Sequence, residues 1–553
     1  MSKKWSMLAL ASLMIVVSAC SQTKNEVAPS SSAAPGSNAS TTPSAASKGP
    51  YVKYDQPVTL NIAKAYNTKD LKLPNGDTVG NNEYLRYVEK KLNVKVNLTW
   101  QVETPDAYAQ KIGVSIAGND LPDAFIVNEQ QLKQLAAANL IEDLTKVYND
   151  NANDYIKGLY KSYDNRVLGR ATFNGKLMAL PNTNIGQQFN ITWIRQDWLD
   201  KFGLKAPQSL DDLENIAKTF VDKNASGKGT IGFTGMPTLA GWNANNGFDP
   251  IFGAMNAYKG QWLKDASGKV VYSSTLPEMK TALGKLHDLY AKGIIDKEFA
   301  LRKDPNEVIA NNQVGIVFGP WWISYWPLPD SVKNDPAAEW KPFLAPLDTK
   351  GKFNTADQDP TSSFLVVRKG YANPEAVVRA LNVEYDGIRQ FDLGAKDIYK
   401  DVPGVGAMWG LWPFSLQVGP EDTVYQTSAE LKKAVDAKNP ASLNAELKSY
   451  YDHVMQNKDN PKKDINAWSD AMARMDGSQL MGSDKISMVR NVFFGKTKSM
   501  DQKLATLQKL ENETFLKIIM GEAPLDSFDS FVSQWNSLGG KDITNEVTQE
   551  MNH

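Results

Sequence analysis

The chain has 553 residues, a formal net charge of −1, 42% apolar residues and one cysteine. That length can bury more than one core, and the near-zero charge supplies no global field to recruit nucleic acid or anionic lipid. A lone thiol excludes internal disulfides and cysteine zinc clusters, and 14 Trp, 20 Tyr and 20 Phe beside three His favour ring stacking over imidazole chemistry.

The first residues, MSKKWSMLALASLMIVVSAC, place Lys3 and Lys4 ahead of an apolar run from Met7 to Val17 that is too short for a membrane span. Residues 1–19 therefore read as a secretory signal. Val17-Ser18-Ala19-Cys20 resembles a bacterial lipobox, which implies cleavage before Cys20 and acylation of its thiol. Residues 20–50 continue in Ser, Ala, Thr, Pro, Gly and Asn, a composition that cannot offset ordering entropy by burial. This linker is expected to be disordered, with a reach on the order of 30 Å.

From residue 51 onward the sequence alternates strand and helix patterns. PVTLNIAKAYN (57–67) has the period of two expected of a strand, and NEYLRYVEKKLN follows as a helix. NVKVNLTW (93–100) is a second strand, DAYAQKIGVSIAG a helix, and LPDAFIVN (121–128) a third strand before the helix EQQLKQLAAANL. Such alternation predicts a mostly parallel sheet covered by helices. A second unit of the same logic begins near residue 182. It contains SLDDLENIAKTFVDKN, where Ser209 and Asp212 have capping-box spacing, and the buried-type strand VGIVFG. TSSFLVVRKG (361–370) reads as a further strand and the remainder as helix. In SFDSFVSQWNSLGG, Phe528, Phe531, Val532, Trp535 and Leu538 are expected on one apolar face, ended by Gly539.

Catalytic signatures are lacking: no HExxH, GxxxxGK[ST] or GxSxG occurs, and GVGAMWG (404–410) lacks the third glycine of a dinucleotide loop. His287, His453 and His553 have surface or packing positions. DKNASGKGTIGF (222–233) matches the first half of a calcium loop through Asp222, Asn224, Ser226 and Gly227. Its twelfth position is Phe233 instead of a bidentate Glu, so a helix-terminating turn is expected. No metal or other cofactor is expected.

The aromatic residues gather where strands give way to loops. Tyr66 follows the first strand, Asn128 ends the third, and Trp242 lies in GWNANNGFD. Trp321, Trp322, Tyr325 and Trp326 follow VGIVFG, and Trp409 and Trp412 lie in MWGLWPF. Ligands of open α/β sheets bind beyond the carboxyl ends of strands, so these positions are candidates for a common cleft. A pyranose fits such a lining, since its C–H faces stack on indole and its hydroxyls take amide partners. Tyr66, Asn128, Trp242, Trp321, Trp322, Tyr325, Trp409 and Trp412 are the ligand-binding candidates, with Trp326 expected to pack the loop that holds them.

LPDAFIV, WIRQDWLDKFGLKAPQSLDDLENIAKTF, GFTG, VGIVFGPWW and IIMGEAPLDSFDSFVSQWNSLGG resemble the family 1 extracellular solute-binding lipoproteins of ABC importers, in particular their LipO-type branch. The resemblance implies a two-lobed α/β fold of the periplasmic-binding-protein type II kind, each lobe a mostly parallel sheet flanked by helices, with a helix-rich C-terminal region. Lobe 1 is expected at about 51–181 with a returning segment near 361–420, and lobe 2 at about 182–360 with much of 421–553. It further implies hinge closure on a carbohydrate, delivery to ABC permease subunits, and no chemistry on the solute. Expected besides are anchoring to membrane lipid through Cys20 at the outer face of the cell membrane, a monomeric state and no nucleic-acid partner. Relatives often carry a carboxylate-rich calcium loop where 222–233 lies, and this chain departs from them there. A second class, a surface-tethered glycoside hydrolase with a carboxylate pair, stays open because 62 acidic residues always contain pairs that could meet.

Overall fold

The computed structural model describes residues 48–69, 72–184, 186–241, 245–389, 392, 394–395, 397–399, 402 and 410–551. The signal, Cys20 and the linker up to residue 47 lie outside them, as do Trp242, Trp409 and His553. Nine strands build two main sheets: β1 (Val58–Ala65), β2 (Val94–Val102), β3 (Ala124–Val127), β4 (Leu180–Pro181), β5 (Ile191–Arg195), β6 (Ile231–Phe233), β7 (Val314–Gly319), β8 (Trp340–Phe343) and β9 (Phe364–Val367). The first sheet runs β2-β1-β3-β9-β4 and the second β8-β5-β7-β6.

Several helices open where a side chain satisfies their first free amides. α1 (Glu83–Leu92) is capped by Asn82, which accepts from the Tyr84 and Leu85 amides, and ends on Asn93 at φ 58°. α2 (Pro105–Gly118) opens after Thr104, whose hydroxyl takes the Ala107 amide. α3 (Glu129–Ala137) opens on a capping box made by Asn128 and Gln131. α4 (Leu210–Asp222) opens on the expected Ser209–Asp212 box. α5 (Asp249–Ala254), α6 (Pro277–Ala291), α7 (Pro374–Ile388), α8 (Lys498–Met520) and α9 (Ser527–Trp535) complete the framework used below.

In each sheet every strand but one runs in the same direction. β2, β1 and β3 are mutually parallel, β9 is antiparallel to β3, and β4 is antiparallel to β9. In the second sheet β5 is antiparallel to both β7 and β8, while β7 and β6 are parallel. The reversed strands, β9 and β5, are those that the chain enters from the other sheet. Phe364 starts β9 opposite Val127 at the end of β3, and Ile191 starts β5 opposite Gly319 at the end of β7. Both arrivals are thus at the carboxyl edge, which forces the opposite direction.

Each sheet carries its own apolar cluster. Leu60, Ile62, Phe125 and Phe364 pack with Val88 of α1 and Leu381 of α7 around the first sheet. Ile194, Phe220, Phe233 and Phe318 pack with α6, α8 and α9 on one side of the second. Trp535 is buried, as its spacing predicts, and stacks on Tyr272 with ring centres 4.6 Å apart and planes 6° from parallel. Leu538, expected on the same face, is exposed because the wide turn at Asn536–Gly540 shifts the register after Trp535. Among the described residues no helix is long and apolar enough to cross a membrane.

The 222–233 loop terminates α4. Asn224 Oδ1 accepts from the Gly229 amide at 3.0 Å, and Ser226 Oγ accepts from the Lys228 amide at 3.1 Å. The oxygens that a calcium loop would aim at an ion hold the turn itself. Among the described residues no three His, Cys, Asp or Glu side chains gather as a metal-holding group.

Candidate functional site

Three stretches of chain, 182–184 with 186–190, 355–363 and 415–424, pass between the two sheets and bond to one another. The Asn182 amide donates to Ser363 O, Asn184 to Pro360 O, and Thr183 to Gln417 O, each at 2.8 Å. Asn182 Oδ1 accepts from Thr361 Oγ1 at 3.0 Å and from the Ser362 and Ser363 amides at 2.9 Å. Packing here is close enough that a Cβ added to Gly186 would lie 2.1 Å from Glu421 O. Beside the segments, Arg166 and Arg490 each pair with both Asp357 and Glu421. Arg170 pairs with Asp359 and Glu129.

On the second sheet, β7 is buried throughout and ends at Gly319, where a Cβ would meet Ile323 at 2.5 Å. That contact lets the turn 320–326 fold back over the strand end. Trp321 is buried, with the Arg474 guanidinium 4.7 Å from its ring centre. Trp322 is half-buried and its Nε1 donates to Gln188 Oε1 at 2.7 Å, which ties the turn to the first connecting segment. Tyr325 is 39% exposed and donates through its hydroxyl to Asp470 at 2.8 Å. Burial, then the Asp470 carboxylate, hold its phenol well above the ordinary range.

Trp326, expected to pack the loop, is instead 51% exposed. Ile323 and Leu328 are fully buried and supply the apolar anchors of the turn, so the Trp326 ring is left outside. Its carbonyl accepts from Asn245 Nδ2 at 3.4 Å. The turn thus leaves Trp322, Tyr325 and Trp326 partly exposed at the carboxyl edge of the sheet, a group termed the shelf.

The first sheet contributes Tyr66 just past β1, half-buried, with its ring against Gly410; a Cβ there would fall 2.3 Å from the ring. Trp412 is not a platform. It is 2% exposed and packs on Tyr84 of α1 at 4.5 Å, against α7 at Gly387, because α1 and α7 leave an indole-sized gap in the core. Asn128 spends its side-chain oxygen on the Gln131 amide at 2.9 Å as the cap of α3. Of the eight candidates named from sequence, Trp322 and Tyr325 lie partly exposed on the turn 320–326, and Tyr66 stands at the edge of the other sheet. Trp242 and Trp409 lie outside the described residues.

A cavity of about 120 Å³ opens beside the first connecting segment, lined by Phe189, Asn190, Asp249, Phe252, Tyr258 and Gln261 among others. Asn190 Nδ2 donates to Asp249 Oδ2 at 3.0 Å. Gly247 permits that pairing, since a Cβ there would lie 2.3 Å from the carboxylate. Burial pushes the Asp249 carboxyl up to about 6, against the lowering effect of the Asp249 and Gly241 amides and of Asn190. Sequence reasoning missed Asn190, Asp249 and Gln261, which belong to no motif; the only local signal was the asparagine-rich loop ahead of Asp249-Pro250.

Lipoprotein LipO of Bacillus subtilis (strain 168) is 26% identical over 244 residues, which are 42% of this chain and 45% of that protein, so the match spans less than half of LipO. The polygalacturonan/rhamnogalacturonan-binding protein YtcQ of the same organism is 23% identical over 482 residues, 84% of this chain and 87% of that one. A solved HMO-binding, ABC-transporter-associated solute-binding protein from Bifidobacterium longum infantis ATCC 15697 has the same fold. It matches with a TM-score of 0.59 and 15% identity over 90% of this chain and 99% of its own. The family described as bacterial extracellular solute-binding protein matches residues 78–383, more than half of the chain, and the chain belongs to that family.

Proposed function

We propose that the protein is a membrane-tethered receptor that captures a carbohydrate, most simply an oligosaccharide, and hands it unchanged to an ABC permease. The observation that carries the reading is the open shelf of Trp322, Tyr325 and Trp326 at the carboxyl edge of the second sheet. Trp322 and Tyr325 have their polar atoms tied to Gln188 and Asp470 and stay partly exposed, and an apolar ring face is what the C–H side of a sugar ring requires. YtcQ, a polygalacturonan/rhamnogalacturonan-binding protein, and the HMO-binding Bifidobacterium protein support a glycan ligand.

Lobe 1 would comprise about residues 51–181 with a returning segment near 361–420, and lobe 2 about 182–360 with much of 421–553. The three connecting segments would then act as the hinge. Cys20 carries the lipid and residues 21–50 the tether, holding one copy of the receptor at the outer face of the cell membrane.

The test is titration of the soluble body, without residues 1–50, against a glycan array, read by tryptophan fluorescence, with chromatography of the recovered glycan. Saturable quenching with intact glycan is expected. Shorter products, lost on substitution of one Asp or Glu, would replace this reading by a glycoside hydrolase. Mass spectrometry of the membrane-extracted chain checks for acyl groups on Cys20.

A further inference from the structure

We propose, resting on the carbohydrate reading, that the cavity walled by Asn190, Asp249 and Gln261 receives the hydroxyl-bearing end of an uncharged glycan and discriminates against uronic acids. The cavity and the shelf share two stretches of chain. Gln188, which holds Trp322, is followed by Phe189 and Asn190 in the cavity wall. Asn245, which holds the Trp326 carbonyl, is followed by Gly247 and Asp249. The same two stretches of chain thus carry the cavity wall and the partners of the aromatic turn.

The chemistry of the walls is one-sided. Asn190, itself 3% exposed, has a buried Oδ1 with no hydrogen-bond partner, and Gln261 Oε1 is likewise buried and unpartnered. Buried polar atoms are ordinarily satisfied, and two unpartnered acceptors on residues that line one cavity call for donors. Asp249 adds a carboxylate, which accepts and cannot donate when ionised. Sugar hydroxyls supply the missing donors; a carboxylate ligand supplies none and meets Asp249 with like charge.

The cations in the cavity wall and beside the connecting segments already face carboxylates of the chain. Lys259, in the same wall, pairs with the buried Glu511 at 2.9 Å. Arg166, Arg170 and Arg490, beside the connecting segments, each face two carboxylates of the chain. The space of about 120 Å³ would take several water molecules, each needing about 10–15 Å³, and so a cluster of hydroxyls from one sugar end.

The experiment compares neutral tetrasaccharides (malto-, cello-, galacto- and fructo-) with tetragalacturonate and an alginate tetramer, using fluorescence on the wild-type body, Gln261→Leu and Gln261→Glu. A neutral member is expected to bind at least about tenfold more tightly than either acid. Gln261→Leu should weaken it by about tenfold, and Gln261→Glu, which keeps an acceptor, by less. Unchanged melting temperatures show that the variants are folded, and Asn190→Leu gives an independent loss in the same wall. A uronate as the tighter ligand, or full neutral-glycan affinity in Gln261→Leu, overturns this inference alone. If neither set binds, the carbohydrate reading falls and this inference with it.

Discussion

Lys64 and Glu384 grip one turn from two sides of its chemistry: Lys64 Nζ donates to Gly410 O at 2.7 Å and to Trp412 O, while the Glu384 carboxylate accepts from the Phe414 and Leu416 amides at 2.8 and 3.1 Å. Both side chains are buried, and burial pulls the lysine below its ordinary range and pushes the glutamate above its own. The turn they hold rests on Tyr66 and leads into the third connecting segment. Lys64→Met removes the donors and leaves Glu384 buried without its counter-charge. It is expected to cost about 3–5 kcal/mol in urea unfolding. The double variant Lys64→Met/Glu384→Gln should recover part of that loss, because neither charge is then stranded.

Two tryptophans named together from sequence should part company on substitution. Trp412→Ala empties a core site against Tyr84 and Gly387 and is expected to destabilise by about 3–5 kcal/mol. Trp326→Ala removes a ring that is half in solvent and should change stability by no more than about 0.5 kcal/mol. Its cost should appear in glycan affinity, at about 1–2 kcal/mol, measured by titration beside a thermal melt. The assignment of Trp326 to the shelf fails if binding is unchanged.

Asp249 makes stability depend on pH in a stated direction. Burial raises its carboxyl from 3.8 to about 6, so the folded protein keeps this proton to higher pH than the unfolded chain does. Well below pH 3.8 both states are protonated and the group costs nothing; as pH rises from 3.8 through about 6 the unfolded state ionises first and the fold loses stability. Asp249→Asn should therefore gain on the wild type by on the order of 2 kcal/mol between pH 4 and pH 7, beyond any constant offset from the altered Asn190 contact. Melts across that range check the slope.

Gly186 lies where two connecting segments nearly touch. Gly186→Ala places a methyl 2.1 Å from Glu421 O, so one segment must shift. A loss of about 1–3 kcal/mol is expected, together with altered glycan affinity, because the segments set the distance between the two sheets. Chemical denaturation and fluorescence titration on the same preparation separate the two effects.

Much of the fold is written locally. The strands at 58–65, 94–102 and 124–127 follow from alternating or Pro-bounded apolar runs, and α4 from the spacing of Ser209 and Asp212. The direction of the two reversed strands could not be read in this way, since it depends on the edge at which the chain returns. Leu538 shows the same limit at one residue: its spacing marks a buried face, and the wide turn after Trp535 carries it into solvent.

By itself the sequence determined the two α/β units, the order of their elements and the clustering of aromatic residues at strand ends, because periodicity and capping act over a few residues. Only the tertiary structure decided which rings stay open. Trp412 and Trp326 have similar local surroundings, yet one fills a gap between α1 and α7 and the other is displaced by Ile323 and Leu328. Burial is a property of what arrives from elsewhere in the chain. The same holds for the cavity, where Asn190, Asp249 and Gln261 come from separate segments and meet only after folding.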